Sequence, residues 1–256
     1  MGSEYYRIPD AETRLRTLVH GFGLVVVAYF LGLVASQVTV VGISSFGISV
    51  ESTASLPPLP YAVLNAALFV GFFLAVFAYL RWQGFPDLFE VEAPSVRDLG
   101  WVVAGFVGLF VLAYALTTTL DALGIDSATN TVIDQGRNDP VRFLYMIPVT
   151  LLFVAPAEEL LFRGTVQGLF RKAYGVVPGV LFASAIFGLG HWFALAGTSS
   201  GKLRYVAVAA MLGIVLGALY ELTENLVVPI LVHAAWNSFS FVTNYVEATG
   251  VVALFT

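Results

Sequence analysis

The sequence predicts an all-α, polytopic helical integral membrane protein with about seven transmembrane helices (six to eight). Three observations predict it. Of 256 residues, 58% are hydrophobic and only 11% are charged, about half the charged share of an ordinary soluble domain. Mean hydropathy is +0.85. The apolar residues gather into stretches of about 20, the length that crosses a hydrocarbon core, not into the short alternating segments of a membrane β-barrel.

The expected spans cover residues 18–42, 61–80, 99–120, 143–162, 177–196, 205–221 and 227–246. The first follows a polar tail, residues 1–17, and Arg14 and Arg16. A signal peptide is the alternative, with Val34-Ala35-Ser36 as its cleavage site, but the apolar run continues through Val41 and reads as a retained helix. Tyr61 and Trp82 bracket the second span and Trp101 opens the third, as an aromatic belt requires. The fourth ends in Glu158-Glu159 and Arg163. After it, Val166, Leu169, Phe170 and Ala173 recur at helical spacing opposite Arg171 and Lys172, which suits a short helix lying in the membrane interface. Gly175 ends that helix, and Pro178 is placed to begin the fifth span. The sixth span is short and joins the seventh by a tight connection, so the two form a hairpin or a partly re-entrant pair. No internal repeat interrupts this order. Residues 18–256 read as one membrane domain, and the polar motifs lie within about 140–245.

Basic residues set the expected orientation. With the N-terminus inside, the inner face holds Arg7, Arg14, Arg16, Arg81, Arg97, Arg163, Arg171 and Lys172, and the outer face Arg137, Arg142, Lys202 and Arg204, eight against four. This puts the N-terminus in the cytoplasm and the Glu158–Arg163 end of the fourth span at the cytoplasmic face. The scattered basic residues exclude a nucleic-acid surface. With no cysteine, disulfides and thiolate metal ligands are excluded as well, and the redox compartment is left open.

Three polar clusters interrupt the later spans. An ionised side chain at membrane depth costs about 3 kcal/mol on insertion scales and marks a functional site by default. In the first cluster, Glu159 and Arg163 are four apart with the acid first, the favourable order for a helical ion pair. Glu158 points about 100° away around the helix and is left to face a cavity. Pro156 has no N–H to donate, so a kink is expected there, with a carbonyl near Leu152 lacking its partner. The second cluster is Phe187-x-x-x-His191, among small residues that let helices approach closely. The third is His233-x-x-x-Asn237, imidazole and amide on one face. Taken singly, each is as well explained by helix packing or an interfacial ion pair. Jointly, two carboxylates, two imidazoles and an amide on three helices are the ingredients of a water-activating hydrolytic site. His20, near the start of the first span, reads as interfacial.

The ordered set Glu158-Glu159-x-x-x-Arg163, Phe187-x-x-x-His191 and His233-x-x-x-Asn237 resembles the CAAX prenyl protease 2 and bacteriocin-immunity family (CPBP or ABI proteins), over roughly residues 140–245. The resemblance implies an intramembrane endopeptidase whose helices surround a conical cavity. Its substrate would be a peptide or lipidated protein reached from the cytoplasm or the membrane, with cleavage near the C-terminus. The catalytic residues expected are Glu158, His191, His233 and Asn237. Glu158 activates water with the aid of His191, and His233 and Asn237 face the oxyanion. Glu159, Arg163 and Phe187 support them. No cofactor is required by this scheme. The alternative is a zinc site of Glu158, His191 and His233, although the His-Glu-x-x-His helix of many zinc peptidases is missing. Two other classes compete: a non-catalytic peptide-binding immunity or scaffold protein, and a proton-coupled transporter. The confinement of the polar clusters to one half of the chain speaks against the transporter.

Overall fold

The computed structural model describes residues 10–84 and 87–251. Within them the chain forms α1 (Ala11–Ser45), α2 (Pro58–Trp82), α3 (Val96–Ala122), a short α4 (Thr131–Asn138), α5 (Val141–Tyr174), α6 (Val176–Gly190), α7 (Ser199–Thr223) and α8 (Val227–Thr249). The only extended pairing among the described residues is a two-residue antiparallel ladder, β1 (Thr129–Asn130) against β2 (Leu195–Ala196). Six helices, α1, α2, α3, α5, α7 and the run from Val176 to Ala194, are long and apolar enough to cross a membrane. The seventh expected span, α8, is 23 residues long but carries His233, Asn237, Ser240, Thr243 and Asn244. The chain is therefore an all-α polytopic membrane protein.

Of the expected tail over 1–17, residues 1–9, Arg7 among them, lie outside the described residues. Helix α1 begins at Ala11, where Asp10 caps it by accepting from the Thr13 amide at 2.7 Å. That hydrogen bond holds the Asp10 carboxyl below its usual range.

Helix α5 is central. Its second half packs with α1, α2 and α6 in one apolar cluster that includes Phe72, Phe162, Phe170 and Phe187. Its first half packs with the start of α2 and with Phe241 of α8 in another. Helices α1 and α2 cross so closely that a Cβ on Gly71 would lie 2.1 Å from the Gly32 nitrogen, a packing only glycine permits. Helix α3 stands at the periphery against α7 and α8, through Leu109, Leu216, Leu219 and Val232.

Two expectations about α5 are corrected. The interfacial helix over Thr165–Tyr174 does not exist as a separate element, because those residues continue the spanning helix. Thr165, Val166, Gln167 and Phe170 are fully buried, since α1, α6 and α7 cover them. In consequence Glu158 and Glu159 sit near the middle of a 34-residue helix, not at its end. Arg163, buried in mid-helix, also drops out of the count of loop charges. Without it the inner set is seven, Arg7, Arg14, Arg16, Arg81, Arg97, Arg171 and Lys172, against four.

A strap seals one end of the bundle. The Leu226 amide donates to the Glu90 carbonyl at 3.0 Å. The Asn225 side chain exchanges hydrogen bonds with the Glu92 backbone at 3.2 and 3.1 Å. Leu88 is buried, and Cβ atoms on Gly164 and Gly168 would meet Phe89 and the Leu88 carbonyl.

Candidate active site

Prolines shape the helix that carries the glutamates. Pro148 and Pro156 cannot donate to the preceding turn, and a regular helix would leave carbonyls unmatched. The chain instead widens into π-helical turns over Thr150–Val154 and Leu160–Gln167, on both sides of an α-helical Ala155–Glu159. The Ala155 amide donates to the Thr150 carbonyl, five residues back. Pro156 opens the intervening α turn, where a missing N–H costs least. The expected kink at Pro156 is thus a pair of widened turns, a form that recurs at functional sites.

Glu159 is fully buried and accepts from Arg163 Nη1 at 3.1 Å, the ion pair that the four-residue spacing predicts. It also does what the spacing did not indicate. Its Oε1 lies 2.7 Å from His233 Nδ1, so that ring nitrogen donates to it, and one carboxylate ties α5 to α8. Arg163 is boxed in completely. Its Nη2 donates to the Gly213 carbonyl at 3.2 Å, and its guanidinium lies 4.2 Å over the Phe187 ring. A Cβ at Gly213 would sit 3.1 Å from both groups.

Phe187 is a hub. Besides Arg163 it touches His191 edge-on, ring centroids 4.7 Å apart, and His233 edge-on at 6.0 Å. His191 ends α6, and its Nδ1 donates to the Phe187 carbonyl at 2.9 Å. That assignment is forced, because a carbonyl only accepts, and it leaves Nε2 with a free lone pair. His233 turns Nε2 toward Glu158 Oε2, 3.6 Å away. The Asn237 amide donates to Thr150 Oγ1 at 3.1 Å.

Glu158, His191, His233 and Asn237 all line one cavity of about 420 Å³, together with Tyr29, Asn65, Asn130, Thr150 and Tyr205. Three helices therefore bring the four expected residues to one space. Their carbonyl, carboxylate and ring partners fix Glu159, Arg163 and Phe187 just outside it. Leu33 and Phe193, which also line the cavity, are 59% and 87% exposed on the outside of the bundle, so one wall is apolar and open to the surroundings. Asn130 to Ile133 form another wall, at the end of the bundle where α5 begins. The N-terminal end of α1 lies at the other end, where the Tyr174 hydroxyl donates to the Arg14 carbonyl at 2.9 Å. The cavity therefore runs from the middle of α5 toward the end of the bundle opposite the start of α1.

Spacing in the sequence also carried a signal that went unread. Glu159, Arg163, Gln167 and Arg171 repeat every four residues, and facing them on α7 are Gly213, Gly217 and Glu221. Gln167 donates to the Gly217 carbonyl at 3.1 Å and to Glu221 at 2.8 Å, and Arg171 pairs with Glu221 at 3.3 Å. This polar seam anchors α5 from the cavity floor to the far surface. Thr150 and Tyr205 offered no comparable signal.

For a metal, the donor types are suitable but the set is short. His191 has the arrangement of a metal ligand, one nitrogen free and the other donated to a carbonyl, and His233 and Glu158 approach one another. Yet among the described residues no three His, Asp, Glu or Cys side chains come together to hold an ion.

Residues 140–239 match the family described as Rce1-like, type II CAAX prenyl endopeptidase. The chain is also 24% identical over 161 residues to the membrane-embedded CAAX protease MroQ of Staphylococcus aureus (strain USA300). That match covers 59% of this chain and 60% of the relative's length. No solved structure matches the chain significantly. The family match spans all three motifs, and both likenesses are to CAAX proteases.

Proposed function

We propose, on the premise that residues 140–239 match the Rce1-like type II CAAX prenyl endopeptidases, that the protein is an intramembrane endopeptidase. The proposed substrate is a membrane-associated peptide or lipidated protein, cut near its C-terminus, and the proposed catalytic core is about residues 140–245 of a single membrane domain. The observation that carries this reading is the shared cavity of Glu158, His191, His233 and Asn237. A pure binder has no need of a base and amide and imidazole donors around one space. The exposed apolar wall at Leu33 and Phe193 supports a substrate that arrives through the membrane.

In the proposed reaction Glu158 takes a proton from a water as its oxygen attacks the scissile carbonyl, and returns that proton to the departing amine as the C–N bond breaks. The lone pair on His191 Nε2 helps to orient the water. Asn237 and His233 face the oxyanion, where one such donor is worth about 10²–10³ in rate. Donation from His233 Nε2 requires both ring nitrogens to carry protons, because Nδ1 is committed to Glu159. Glu159, Arg163 and Phe187 hold these side chains in register. The second reading is the zinc form, favoured by the free Nε2 of His191, although only Glu158 and His233 of its three ligands approach each other.

The test is turnover of internally quenched peptides by purified, reconstituted protein, with products identified by mass. Cleavage is expected, and it is expected to survive chelation. Loss of cleavage on chelation with recovery on added zinc would establish the metal form, and complete absence of cleavage across apolar and lipidated peptides would leave the binding protein.

We also place the cavity end of the bundle, rather than the N-terminus, at the cytoplasmic face, since the proposed substrate is cytoplasmic or membrane-borne. A chain without cysteine makes this simple to check. Asn138→Cys sits at the cavity end and Lys172→Cys at the other. In intact cells an impermeant maleimide is expected to label Lys172→Cys, and Asn138→Cys only after permeabilisation. The reverse pattern would turn the cavity outward.

A further inference from the structure

We propose that Tyr29, on the first helix and outside the matched residues 140–239, is a positioning residue for His191. The C-terminal carbonyls of a helix have no partners within it, and α6 ends at Gly190, immediately before His191. Two side chains supply the partners. The His191 ring itself donates to the Phe187 carbonyl. The Tyr29 hydroxyl donates to the Gly190 carbonyl at 2.9 Å, across 161 residues of sequence. The fit is tight, since a Cβ on Gly190 would lie 2.5 Å from the Tyr29 oxygen. The Tyr29 ring is separately held, edge-on to Phe72 with centroids 5.0 Å apart, so the hydroxyl is presented from a fixed ring.

This bond clamps the peptide unit that precedes His191 and so fixes where its imidazole enters the cavity that both residues line. Beyond Gly190 the chain tightens into a 3-10 turn, His191–Ala194. Without the tyrosine hydroxyl, the Gly190 carbonyl would keep only the bond that opens this turn, with nothing from α1 to hold it, and the turn would be free to shift. The first helix therefore belongs to the working site, not only to the membrane anchor.

The chain has only three histidines, which makes the test direct. In protein labelled with 15N-histidine, His191 is expected to show one neutral tautomer with the proton on Nδ1. Tyr29→Phe keeps the ring against Phe72 and removes only the hydroxyl. It is expected to shift or broaden the His191 resonances while those of His20 and His233 stay in place and the melting temperature is unchanged. Gly190→Ala, which pushes the hydroxyl away, is expected to do the same, and the two changes together to do no more than either alone. Turnover of a quenched peptide is expected to fall about tenfold in kcat with KM unchanged. The turnover arm rests on the protease reading and the imidazole arm does not, so the two can fail separately. An unmoved His191 signal in Tyr29→Phe overturns the proposal, as does a movement of all three imidazoles together with a lowered melting temperature.

Discussion

Glu158→Gln is expected to lower peptide turnover by about 10²–10⁴-fold, the usual contribution of a positioned general base, with the fold intact. The amide is nearly isosteric with the carboxylate and cannot take a proton from water. Among the described residues the nearest charged partner of Glu158 is His233, 3.6 Å away and beyond hydrogen-bond distance, so little structure depends on its charge. The measurement is cleavage of a quenched peptide alongside a thermal melt of the purified protein in detergent. A variant that melts like the parent and still cleaves at the parent rate removes Glu158 as the base. The linked pair Glu159 and His233 would then be the next group to examine.

The largest structural effect is expected at Arg163. Both members of its ion pair are wholly buried, and removing one partner of such a pair typically costs about 3–5 kcal/mol, because the other is left charged and unpaired. Glu159 is in a poor position to absorb the loss, since its Oε2 is already buried without a hydrogen-bond partner among the described residues. Arg163→Met is therefore expected to unfold at markedly lower temperature or denaturant concentration. Arg163→Lys is expected to recover only part of the loss, because a point charge cannot span Glu159 and the Gly213 carbonyl while lying flat on Phe187. The double variant Glu159→Leu with Arg163→Met is expected to regain most of the stability, since no lone charge remains, and to stay inactive because His233 has lost its acceptor. Equal stability of Arg163→Met and parent would show that the seam between α5 and α7 is held by Gln167, Arg171 and Glu221 without Arg163.

The parts of this site visible in the sequence are those set by helical repeat. Glu159 with Arg163, and His233 with Asn237, are four residues apart, and local geometry alone puts each pair on one face. The different directions of Glu158 and Glu159 were legible for the same reason, because Ala155–Glu159 keeps α-helical geometry between its widened neighbours. What failed depended on the tertiary structure. Arg163, Gln167 and Arg171 look like the polar end of a span until Gly213, Gly217 and Glu221 are brought alongside, and nothing local announces those partners. The π-helical turns were invisible because a proline permits several responses, and packing chose this one. Tyr29 could not be linked to Gly190 from sequence at all, since 161 residues separate them and neither stands in a motif.

The strap from Leu88 to Glu92, together with the polar seam, has a kinetic consequence. Both fill the bundle between the glutamates and its far end, so a polypeptide has no second exit there. In the proposed protease, a severed piece would have to back out through the opening by which it came or slip sideways into lipid. Long chains would then not be fed through and shredded. Such a chamber suits a single cut that frees a short fragment, and its pace at saturation would be governed by how fast that fragment departs.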